Sequence, residues 1–187
     1  MNIVPLLVVG VVVLVPLIWV IAMYNRLASI GQHLRESAAD VDVELKRRYD
    51  LVPNLVATVK GYAAHERETL ERVTALRLQA MRDAEDAHLG RRSSAEREFG
   101  GSIQRLVAVS EAYPQLKADA SFRRLQEELA ITEDRIAAAR RFYNANVRDL
   151  RNLREQFPTS VLAAMFSFDR PEFFAPEADA ERETPRV

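Results

Sequence analysis

Cysteine is absent from all 187 residues of the chain. Disulfides, thiol nucleophiles and Cys-ligated zinc are thereby excluded, while the compartment stays open. Glycine occurs only 6 times, and between Ile30 and Phe157 the only prolines are Pro53 and Pro114. Breakers this sparse do not suit an all-β domain. Neither sign of charge prevails: 26 basic and 27 acidic residues leave a formal net charge of −1, so no global field draws the chain to nucleic acid. The arginine pairs Arg123-Arg124 and Arg140-Arg141 do not extend into a basic stripe. Catalytic signatures are also lacking. There is no Gly-x-Ser-x-Gly elbow, and Gly100-Gly101 has neither the strand nor the spacing of a phosphate-binding loop. His65-Glu66 is followed by Thr69 where a zinc-protease helix needs its second histidine. Glu85-x-x-His88 has the form used in carboxylate-bridged di-metal bundles, but such sites need the motif on two helices and one copy is present. A protein that is not an enzyme, with no cofactor and no metal, is therefore expected. A metal-dependent hydrolase built on Glu85, His88, His65 and Glu66 is the least favoured alternative.

What is present begins with Ile3 to Met23, a run of 21 residues without a charged side chain. About 20 residues at ~1.5 Å rise match a hydrocarbon core of roughly 30 Å, so the run suits a membrane anchor within residues 1–24. The marks of a cleaved signal peptide are missing: no basic residue precedes the run, and Ala22-Met23-Tyr24 is a poor cleavage site. Trp19 and Tyr24 suit interfacial anchoring. Arg26 and Arg35 downstream, against Met1-Asn2 upstream, predict a single-pass protein with the N-terminus outside and the domain in the cytoplasm.

From residue 25 to 158 the period is helical. Leu27, Ile30, Leu34, Val41, Leu45 and Tyr49 continue the first helix beyond the bilayer. Asp50 can cap a second helix with Pro53 in its first turn. That helix would stop near Gly90, before a loop at 91–94. It would then overshoot the extramembrane part of the first, so the break can instead lie later, with Pro53 inside a longer helix. Ser93 with Glu96 has capping-box spacing and predicts a third helix ending at Pro114. Asp119 or Ser121 can cap a fourth, whose Phe122, Leu125, Leu129, Thr132, Ile136, Ala139, Tyr143, Val147, Leu150 and Leu153 keep close to a coiled-coil repeat. The predicted fold is all-α: an N-terminal transmembrane helix and an up-and-down antiparallel four-helix bundle. Residues 159–174 form a short aromatic segment that either lies in the membrane interface, through Phe166, Phe168, Phe173 and Phe174, or folds back on the bundle. Residues 175–187 read as a disordered acidic tail.

The stretch from Arg47 to Glu66 packs mixed polar groups and two tyrosines into fewer than ~6 turns of helix. Arg48, Tyr49, Asp50, Asn54, Lys60, Tyr62, His65 and Glu66 can form a docking face or a buried hydrogen-bond network. Arg140, Tyr143 and Asn144 form a second candidate patch.

These residues carry a resemblance. Leu45-Lys46-Arg47-Arg48-Tyr49-Asp50-Leu51-Val52-Pro53-Asn54-Leu55-Val56 and Thr58-Val59-Lys60-Gly61-Tyr62-Ala63-Ala64-His65-Glu66 resemble the LemA proteins, bacterial membrane proteins with one N-terminal anchor and a helical bundle. Glu111-Ala112-Tyr113-Pro114-Gln115-Leu116-Lys117 and the Ala139-Arg140-Arg141-Phe142-Tyr143-Asn144 segment add to it. The resemblance implies the same topology, single-pass in a bacterial inner membrane, and supplies no reaction. The expected role is a docking or scaffold module for a membrane or cytoplasmic protein, with homo-oligomerisation possible, and a membrane-shaping protein is the alternative.

Overall fold

The computed structural model describes residues 3–84, 89–166 and 171–174. Most of its described residues are helical, with no strand among them. The first helix, α1 (Ile3–Tyr62), is one uninterrupted element of 60 residues. Its apolar run is bare, as a helix meant for lipid would be. Beyond Met23 it rises ~58 Å to Tyr62 at ~1.5 Å per residue.

Pro53 lies inside α1 and starts nothing. A helical proline leaves the carbonyl four residues back without its donor. Here that carbonyl belongs to Tyr49, and Arg77 Nε donates to it at 2.7 Å from the neighbouring helix. The later of the two possible breaks is therefore the one adopted, and Asp50 is an exposed mid-helix residue with no capping position. The chain turns at 63–66, and α2 (Arg67–Asp83) follows.

The boundary between the second and third helices also differs from expectation. α3 (Leu89–Val109) already includes Gly90, Ser93 and Ser94, so neither the glycine stop nor the capping box operates. Ser93 and Glu96 are instead buried. A 3₁₀ turn (Ser110–Ala112) replaces the last turn of the expected third helix, and a short α4 (Pro114–Ala118), opened by Pro114, replaces the plain turn expected after it. α5 (Ala120–Glu155) matches its expected extent, and Asp119 caps it by accepting from Phe122 N at 2.8 Å.

α1 and α5 run antiparallel along the whole bundle. Asn146 Nδ2 donates to Ser37 Oγ at 3.1 Å, Arg48 meets Glu133, and Tyr62 meets Asp119. One helix thus advances as the other retreats, at a constant register. Val41, Leu45, Val52, Leu55 and Val59 of α1 are buried against Phe122, Leu129, Ile136, Tyr143 and Val147 of α5, a seam of coiled-coil type.

The pair α2 and α3 is shorter, at 17 and 21 residues, or roughly 26 and 32 Å. Arg92, near the start of α3, pairs with Asp42. The hairpin therefore covers α1 only from about Asp42 outward. Four helices make a head, and about 28 Å of two-helix stem separates it from Met23. A separate apolar cluster of Leu27, Leu150, Leu153 and Ala163 closes the stem, with Ala163 supplied by α6 (Thr159–Met165). Where four helices become two, Phe174 plugs the open end of the head core at 2% exposure.

Candidate functional site

The start of the polar stretch between Arg48 and Glu66 is engaged inside the protein. In the seam, α1 buries residues 41, 45, 52, 55 and 59, and the heptad phase places Arg48 between them. Its guanidinium is 1% exposed, pairs with Glu96 of α3, and donates to both oxygens of Glu133 of α5 at 3.0 and 3.1 Å. It also lies over the Phe99 ring, 5.2 Å from the centroid. Tyr49 donates its hydroxyl to the other Glu96 oxygen. Burial opposes the charge on Arg48, but the Glu133 and Glu96 carboxylates outweigh it and hold the guanidinium protonated above its ordinary range. The Tyr49 phenol is pushed up by burial and by Glu96. Arg48 and Tyr49 are thus core, and neither is open to a partner.

The second candidate patch is occupied by the chain itself. Asn144 clamps the backbone of Phe174, accepting from its N–H at 3.0 Å and donating to its carbonyl at 3.1 Å. Tyr143, itself buried, donates to the Glu172 carbonyl at 3.2 Å and meets the Phe174 ring edge-on at 5.0 Å. The Arg92 and Arg140 guanidiniums lie over that ring at 5.7 and 5.9 Å. Phe174 therefore belongs to the core and not to a membrane surface. Phe168 and the tail after Phe174 lie outside the described residues. Phe173 is partly exposed beneath Arg151, and Phe166 rests on Tyr24.

At the far end of the head, two tyrosine–carboxylate bonds tie the helix junctions. Tyr62 donates to Asp119 Oδ2 at 3.0 Å, and Tyr113 donates to Glu66 Oε1 at 3.4 Å. The hydrogen bond to Asp119 raises the Tyr62 pKa, while the Phe122 amide and then Tyr62 lower that of Asp119. Burial, then Glu66, raises Tyr113. Asn54, Lys60 and His65 remain exposed. Lys60 borders a groove of about 670 Å³ between the end of α1 and α2, floored by Val56, Leu70 and Leu78 and edged by Arg67 and Glu71. Leu78 is 50% exposed there. The far-end groove is what the sequence does not show, because α2 meets the end of α1 only after the turn at 63–66.

Among the described residues no three His, Asp or Glu side chains gather where they would hold a metal ion. Glu85 and His88 lie outside those residues.

The model of the LemA family matches residues 37–187, most of the chain. The chain belongs to the LemA family. Relatives include the magnetosome proteins MamQ 2 and MamQ 1 of Paramagnetospirillum magneticum and MamQ of Magnetospirillum gryphiswaldense. Each is 24% identical over 208 aligned positions, which cover 97% of this chain and 76% of the relative. Family membership, the all-helical fold and the single apolar N-terminal helix agree on a membrane-associated helical protein.

Proposed function

We propose that this LemA protein is a non-enzymatic docking post, anchored in the inner membrane through Ile3–Met23 with its N-terminus outside and its head in the cytoplasm. The observation that carries this reading is the groove beside Lys60, an open apolar trough at the end of the head farthest from the bilayer. Burial of the polar network around Arg48 makes the head a rigid support, and α1 carries it out on a continuous helix. An apolar trough edged by Lys60 and Arg67, with Glu71 as the opposing charge, suits a partner helix with an apolar stripe and an acidic flank.

The test is photocrosslinking in native membranes from a probe at Lys60, followed by mass spectrometry, with Leu78→Asp as the control. A single foreign protein captured at Lys60 and lost in Leu78→Asp supports docking. Self-crosslinks only, or lipid only, refute it in favour of an oligomeric scaffold or a membrane-shaping role. The membrane-shaping reading draws on one observation of its own, the outward face of α6.

A further inference from the structure

α6 has two faces. Leu162 and Ala163 are buried, with Ala163 against Leu27, Leu150 and Leu153 at the foot of the stem. On the other side Val161 is 53% exposed and Met165 70%, four residues apart and so on one face of the helix, and Phe157, in the turn just before α6, is 84% exposed. Phe166, which ends the helix, is 50% exposed and meets Tyr24 edge-on at 4.9 Å. Large apolar side chains bared side by side mark an interaction surface.

The position of this face identifies what covers it. Tyr24 directly follows the apolar run, and Leu27, against which α6 packs, stands only ~6 Å beyond Met23 along α1. The headgroup layer on each side of a bilayer is about 5–7 Å thick. α6 therefore lies at headgroup depth, and its bare face is continuous, through Phe166 and Tyr24, with the apolar surface of the anchor. Arg26 on α1 and Arg151 on α5 are exposed at the same end, where lipid phosphates would meet them.

We propose that α6 is a second membrane contact: its Val161–Met165 face inserts into the headgroup–acyl boundary beside the anchor and seats the stem on the bilayer surface. This rests on the anchor reading of Ile3–Met23. A single spanning helix leaves the head free to tilt, whereas a second point of insertion restricts that tilt and fixes the direction in which the groove faces.

Because the chain has no cysteine, single labelling sites are clean. Nitroxides are attached to Val161→Cys or Met165→Cys of the full chain in phosphatidylcholine–phosphatidylglycerol vesicles, with Val12→Cys and Lys60→Cys as references, and collisions with oxygen and with a water-soluble nickel chelate are measured. The expected result is a fall in nickel collisions and a rise in oxygen collisions at 161 and 165 relative to 60, with a shallower depth than at 12. Positions 161 and 165 as open to nickel as 60, while 12 is in lipid, overturn the seat alone. Labels at 161 and 165 frozen and shielded from both reagents mean that protein covers this face, and also overturn it. A water-exposed label at 12 removes the anchor and the seat together.

Discussion

Glu96→Leu is the sharpest perturbation of the head. The Arg48 and Glu96 side chains are each 1% exposed, whereas Glu133 is 39% exposed and is already partly screened by water. Removing the Glu96 carboxylate leaves a buried guanidinium with only this half-solvated partner. Breaking a buried pair costs ~3–5 kcal/mol, and the surviving bonds to Glu133 favour the low end. The Tyr49 hydroxyl loses its acceptor as well, for about 1 kcal/mol, though the Ala80 carbonyl at 3.4 Å stands in reserve. The total is roughly 3–4 kcal/mol. With a urea m-value of about 2 kcal/mol/M, the midpoint falls by about 1.5–2 M. The assay is urea unfolding of the full chain in detergent, followed by helical circular dichroism. Arg48→Met combined with Glu96→Leu removes the charge and its partner together and fills the space with apolar groups, so most of the loss returns, to within about 1 kcal/mol of the parent. A loss below about 1 kcal/mol in the single variant refutes the argument. So does a double variant as damaged as the single one.

Two further outcomes follow from the same contacts. Arg77→Met strands the Tyr49 carbonyl that Pro53 cannot serve and costs about 1–3 kcal/mol; in a Pro53→Ala background the restored N–H takes that carbonyl back, and the cost measured by urea midpoints falls below about 1 kcal/mol. Asp119 has a folded pKa below its unfolded one, held there by the Phe122 amide and Tyr62. Its contribution is therefore complete above the unfolded value near ~4 and is lost as pH falls through the lower folded value. Thermal melts down this acid range show the parent losing stability more steeply than Asp119→Asn; equal slopes in the two proteins would contradict the cap-and-tyrosine assignment.

Much of this protein was readable locally. The bare run from Ile3 to Met23, the seam of α5 and the Asp119 cap each depend on neighbours within a turn or two, and all three appear where expected. Whether Arg48 belongs to a docking face or to a buried network stayed open for the opposite reason. An arginine reads as surface, and only the heptad phase of Val41, Leu45, Val52 and Leu55 signals that its position points inward. The carboxylates that let it stay there come from Glu96 and Glu133, 48 and 85 residues away.

The same division holds for the other corrections. Ser93 with Glu96 has the spacing of a cap, yet α3 starts earlier and uses Glu96 to answer Arg48 and Tyr49. Phe174 looked like a membrane aromatic beside Phe173, but Asn144 and the Arg92 and Arg140 guanidiniums draw it into the head. The sequence by itself determined the long apolar N-terminal helix, the helical class and, through its local motifs, the family, since periodicity, a charge-free run and short motifs are properties of adjacent residues. Only the tertiary structure decided where α1 ends, which polar groups are buried and which aromatics face outward. Each of those choices is made by a partner that folding brings from far along the chain: Arg77 for the carbonyl behind Pro53, Glu96 for Arg48, Asn144 for Phe174.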